Sequence, residues 1–112
     1  MATEKSFVDY VLETAALEGR LMQKKLFGEF ALYLDGKVVA FVCDNSLFIK
    51  PSAAATTLAP DLPMGPPYPQ AKDYPIADAL LDDPEALRRL ILATAELMAP
   101  PKEKKPARPK PG

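Results

Sequence analysis

The sequence predicts a two-layer α+β domain, an antiparallel β-meander of about four strands flanked by an N-terminal and a C-terminal helix. Residues 26–50, LFGEFALYLDGKVVAFVCDNSLFIK, hold three strand-like runs separated by Asp35-Gly36 and Asp44-Asn45. A stripe of helical period precedes them at Val8, Val11, Leu12 and Ala15. A second follows at Leu87, Leu90, Ile91, Thr94 and Met98. A chain of 112 residues suits one domain. We place it at residues 1–100, with a basic tail at 101–112.

The first helix is expected over Ser6–Leu17. Ser6 and Asp9 resemble a capping box, and Gly19 is placed to close the helix in a left-handed conformation. The meander follows. Asp-Gly favours a two-residue type I′ turn, and Asp-Asn can adopt the same geometry. Two-residue loops pair Leu34 with Lys37 and Cys43 with Ser46. Counting back sets Phe30 opposite Phe41 and Phe41 opposite Phe48, a phenylalanine row on one core face with Leu32 and Val39. The other face would carry Phe27, Glu29, Ala31 and Tyr33, then Val38, Ala40 and Val42, then Leu47 and Ile49. It is too apolar to face water. Its cover is either a second copy of the sheet or Leu58, Leu62, Met64 and Tyr68 from the segment 51–70, and the segment is preferred.

That segment, PSAAATTLAPDLPMGPPYPQ, holds six prolines, so long regular structure is not expected. Ala53–Leu58 suits one short helical stretch. Lys72–Ile76 reads as a fourth strand, and Pro75 places it at an edge. Asp83-Pro84-Glu85 then opens the C-terminal helix with an N-cap, a first-turn proline and an acid. Arg88, Arg89 and Glu96 mark its outward side, and Pro100-Pro101 ends it.

Composition narrows the functional classes. The chain has no histidine, so the commonest general base and metal ligand is absent. Cys43 lacks an activating partner and reads as a small buried hydrophobe. Asp78, Asp82 and Asp83 fit a loop and helix cap better than a metal site. No catalytic group, cofactor or metal site is expected, and no enzyme activity. The N-terminus shows no signal-peptide pattern, and the longest apolar run, Val38–Cys43, has six residues, too few to span a bilayer. With a single cysteine, these features fit a cytoplasmic protein with no membrane partner.

Charge is unevenly placed. Residues 101–112, PKEKKPARPKPG, hold five Lys or Arg against one Glu, a balance of +4. The other 100 residues hold nine basic and fourteen acidic groups, a balance of −5. Weak contact with nucleic acid or an acidic partner is therefore assigned to Lys102, Lys104, Lys105, Arg108 and Lys110, the alternative being a solvated tail. The tail is expected to be disordered. Lys50, just before Pro51, is either a lysine snorkelling at a strand end or, with Tyr68, Lys72 and Tyr74, part of a partner or ligand surface.

Several blocks resemble the TfoX/Sxy N-terminal domain family. Lys25-Leu26-Phe27-Gly28 is similar to its Met-Phe-Gly opening, followed by Leu32-Tyr33-Leu34-Asp35-Gly36-Lys37 and Ser46-Leu47-Phe48-Ile49-Lys50. Ala71-Lys72-Asp73-Tyr74 and Leu81-Asp82-Asp83-Pro84 fit the same pattern. The similarity runs from about Phe7 to Met98 and does not include the helical C-terminal domain of the competence regulators. Glu29 stands where many members have a second glycine. The resemblance implies an α+β bacterial regulator, without enzymatic activity, that works beside a transcription factor to induce DNA-uptake genes. We therefore expect a protein-interaction domain, monomeric or weakly dimeric. The alternative is a small-ligand-binding domain with its pocket between the sheet and the Pro-rich 51–70 segment.

Overall fold

A computed structural model describes residues 3–26 and 28–98. Helix α1 spans Lys5–Ala15 and leads into four strands, β1 (Leu21–Leu26), β2 (Glu29–Leu34), β3 (Lys37–Cys43) and β4 (Ser46–Ile49). Helix α2 (Ala53–Leu58), the short strands β5 (Met64–Gly65) and β6 (Tyr74–Pro75), a 3₁₀ turn at Asp78–Asp82 and helix α3 (Pro84–Leu97) complete the chain. The main sheet is an antiparallel meander in the order β1-β2-β3-β4, so the α+β architecture is as expected. All three helices contribute to one core on one face of this sheet.

Both hairpin turns have the backbone their residues favour. Asp35 and Gly36 lie at φ 52° and 88°, and Asp44 and Asn45 at 52° and 58°. Positive φ at both central residues is the type I′ signature. Leu34 pairs with Lys37 and Cys43 with Ser46, as the loop lengths require.

Between these fixed ends the phenylalanine row breaks. Tyr33 pairs with Val38, but Leu32 pairs with Ala40, leaving Val39 as an extra residue in β3. A bulge of this kind sets two residues against one, so every later residue of β3 faces the other way. Phe30 consequently pairs with Val42 and Ala31 with Phe41, while Phe41 still pairs with Phe48. Phe30, Leu32, Val42, Leu47 and Ile49 enter the main core, and Phe41, Cys43 and Phe48 form a second cluster with Tyr74 and Ile76. Val42, Leu47 and Ile49 therefore do not lie on the second face, where the unbroken register placed them.

Two further strand assignments change. The first strand of the sheet is Leu21–Leu26, a segment with no strand assigned to it from sequence. Lys72–Ile76 supplies no strand of the main sheet. Its Tyr74 and Pro75 pair with Gly65 and Met64, and Ile76 makes one bridge to Phe48. It thus lies at the β4 edge and shields it. Ala77 N–H donates to Leu47 O at 2.8 Å, and Asp78 Oδ1 accepts from Leu47 N–H at 2.7 Å. Asp78→Ala strips a buried residue's amide of its acceptor and should cost about 1–3 kcal/mol in denaturant titration. An unchanged midpoint would show that water replaces the carboxylate.

The helix ends show where local pattern stops being sufficient. Asp83 caps α3, its carboxylate accepting from Ala86 N–H at 3.3 Å, with Pro84 in the first turn. Ser52 likewise caps α2. Helix α1 has no side-chain cap, and Asp9 pairs with Lys5 at 3.1 Å rather than reaching Ser6. It also ends at Ala16, at φ 55°, before Gly19 is reached. Arg88 Nε donates to Ala15 O at 2.8 Å, satisfying a last-turn carbonyl that glycine geometry would otherwise serve. Arg88 is accordingly half-buried, not an outward residue.

Candidate functional site

The second face of the sheet is covered over only part of its width. Over β3 and β4, Tyr74 packs on Phe41 with ring centroids 5.9 Å apart, and Tyr68 meets Phe41 edge-on at 6.4 Å. Lys50 extends over the Tyr74 ring, its Nζ 5.9 Å from the centroid, within cation–π range. Burial pushes the Tyr74 phenol up. Three of the four residues singled out from sequence, Lys50, Tyr68 and Tyr74, thus share one aromatic cluster with Phe41. Lys72 is exposed and takes no part in these contacts.

Lys50 reaches this face because of the bulge. Its N–H donates to Val39 O at 2.9 Å, as counting from the turns suggests. Its side chain nevertheless lies on the Tyr74 side and not against the helices. The cover differs from expectation too. Tyr74 and Ile76 contribute most of it, Leu62 packs on the main core, and Leu58 and Met64 stay exposed at 43% and 54%.

Over β1 and β2 the face is open. Met22 is 58% and Leu26 40% exposed, with half-buried Tyr33 and Val38 beside them. Between this open side and the Tyr68-Pro69 segment lies a groove of about 550 Å³, walled by Leu26, Phe30, Phe41 and Tyr68. Its polar lining side chains are Glu29, Cys43 and Tyr68.

Glu29 is held in place by its neighbours. Its Oε1 accepts from Asp44 N–H at 3.1 Å and from the Thr3 hydroxyl. Thr3 also accepts from Asn45 N–H at 3.3 Å, and Glu4 N–H donates to Asn45 Oδ1 at 3.0 Å. The N-terminal strap and the Asp44-Asn45 turn thereby fix the carboxylate at one end of the groove. Cys43 is buried, and burial together with the charges of Glu29 and Asp44 pushes its thiol up to about 11. That favours a neutral, unreactive thiol.

Sequence reasoning missed Leu26, Glu29 and Phe41 as members of one site. The faint alternation Leu21, Gln23, Lys25 against Met22, Lys24, Leu26, ending before Gly28, was the available signal for β1. Nothing local marked the bulge that brings Phe41 and Cys43 to this face. Lys102, Lys104, Lys105, Arg108 and Lys110, and the expected disorder of their tail, lie outside the described residues.

A family model for the TfoX N-terminal domain matches residues 13–97. The chain belongs to that family. The match runs from the last turn of α1 to the end of α3, so both the groove and its aromatic cluster lie within the TfoX N-terminal domain. An uncharacterized 12.7 kDa protein in the trpE 5′ region of Spirochaeta aurantia is 38% identical over 112 residues, covering 100% of this chain and 97% of that one. No solved structure matches the chain. Among the described residues, no helix of this TfoX N-terminal domain is long and apolar enough to cross a membrane.

Proposed function

We propose that this domain is a non-enzymatic regulatory module that binds a protein partner through the open part of its second sheet face. The half-covered face carries this reading. Met22, Leu26 and Tyr68 expose apolar surface next to the groove, while the other face of β2, β3 and β4 packs into the main core. Exposed apolar side chains gathered on one face, here with Lys24 between Met22 and Leu26, often mark an interaction site. The family's competence regulators suggest a partner associated with transcription.

Photo-crosslinking from position 22, in the wild type and in a Leu26→Asp, Tyr68→Ser variant, tests the reading. Both altered side chains are well exposed, so the fold should persist. A partner captured by the wild type and lost by the variant, with unchanged melting, is the expected result. Equal capture by both would exclude the groove.

The second reading is a small-ligand site in the same groove, between the sheet and the Pro-rich segment that supplies Tyr68 and Pro69. Its volume favours this reading, lying within the roughly 300–1,000 Å³ of ordinary ligand pockets. A small molecule retained in native mass spectra of the wild type and absent from the variant would select it.

Contact with nucleic acid rests with the tail, because the remainder of the chain is acidic. Five cations give a log–log salt slope no steeper than roughly −4.5 on duplex DNA. A titration at rising salt checks this, and a steeper slope would require cations from the folded domain.

A further inference from the structure

The groove combines aromatic walls with carboxylates. Phe41 and Tyr68 supply ring faces, Glu29 lines it, and Asp44 stands beside Glu29. None of its lining residues is Lys or Arg. Such a surface suits a ligand carrying prolines, which stack on aromatic rings, and cations, which seek the carboxylates. The chain contains a segment of that chemistry. Residues 101–112 hold four prolines and five Lys or Arg, at a balance of +4.

Its reach is sufficient. Lys37 Nζ donates to Ala95 O at 3.2 Å, so the end of α3 lies beside the start of β3. The groove lies at the other end of β3, about 20 Å away at roughly 3.3 Å per strand residue, with about 10 Å more for the thickness of the layer. Fourteen residues follow Met98, and in an extended polyproline conformation they span about 43 Å at roughly 3.1 Å each. A tether of this length gives an effective concentration on the order of millimolar, so even a weak contact is populated.

We propose that the groove takes the last part of the chain's own tail, about residues 108–112 of the 101–112 segment, within the same molecule, as a self-ligand that a partner must displace. This rests on reading the groove as a binding site. It adds the class of occupant, a cationic proline-rich strand, and a regulatory consequence, since partner affinity should rise when the tail is neutralised.

The test uses the full chain. A Cys43→Ala, Ala107→Cys protein carries a nitroxide at position 107, and amide line broadening is read at 50 mM and 500 mM NaCl. Broadening at Leu26, Glu29, Phe41 and Tyr68 in low salt, at least halved in high salt, is the expected result. Glu29→Gln keeps the acceptor and removes the charge, so it should also weaken the broadening. A mixture of isotope-labelled chains without nitroxide and unlabelled chains with it separates the two geometries. Broadening in that mixture at the full strength would assign the contact to a second copy and overturn the intramolecular form.

A second measurement leaves Cys43 in place. Amide shifts of the wild type are compared with those of a full chain in which Lys102, Lys104, Lys105, Arg108 and Lys110 are serine. Differences confined to the groove are expected. Identical groove shifts would overturn the proposal. Partner capture that still depends on Leu26 and Tyr68 would then show that only the self-ligand has failed.

Discussion

Replacing Leu32 with alanine should destabilise the domain by about 2–5 kcal/mol, a large fraction of the total for a small fold. Leu32 is fully buried and stands in one row with Gln23, Ala40 and Ile49. Its neighbour Ala40 is too small to fill the space left behind. The cavity term should therefore add to the lost transfer energy. Phe41→Ala is the informative companion. In an unbroken register Phe41 would be a core residue, and its loss would cost about 3–5 kcal/mol. Here the ring is half-buried on the second face, shared only with Tyr68, Tyr74 and the second cluster. Denaturant titration should place its cost below that range and below the cost at Leu32. The reverse order would mean that β3 has no bulge at Val39.

The second large effect is an alkaline loss of stability. Burial and the neighbouring carboxylates push the folded Cys43 thiol up to about 11, from about 9.0 for a free thiol. Between those values the unfolded state releases a proton that the folded state retains, so stability falls as pH rises. The sum over the window is on the order of 2–3 kcal/mol. Other groups titrate there as well, so the quantity to compare is the pH dependence of the wild type and of Cys43→Ala. From about pH 9 to 11 the variant should lose less stability. Parallel curves would show that the thiol meets water in the folded state.

How far the fold could be read in advance depended on the range of the interactions involved. Asp35-Gly36, Asp44-Asn45 and Asp83-Pro84 act within a few residues, so turns, end registers and the α3 start were all legible. The end of α1 was not, because its capping group, Arg88, arrives from another helix. Strand β1 was hidden for a related reason. Five of its six residues, Met22 to Leu26, are exposed or half-buried, so its sequence is polar and its strand character depends on pairing with β2. The bulge at Val39 was the costliest omission. A run such as Lys37–Cys43, apolar on both faces after its first residue, carries no alternation to reveal a change of side. Lys50, Tyr68 and Tyr74 were found for their chemistry, whereas Leu26, Glu29 and Phe41 needed the true register.

The order in which the chain leaves the ribosome gives the topology a further consequence. The four-stranded meander is complete at Ile49, but α3, which lies against β2 and β3, ends only at Leu97. At roughly 5–20 residues per second, synthesis of the intervening segment takes about 2–10 s. Throughout that interval the nascent sheet lacks its largest apolar cover, and β4 lacks the edge contacts made by Ile76, Ala77 and Asp78. The charged surface of β1, with Lys24 and Lys25, is already present and discourages pairing along the opposite edge. Chaperone demand should therefore concentrate on chains stalled between Ile49 and Leu97, and ribosome-bound fragments of graded length would show protection from protease appearing late and in one step.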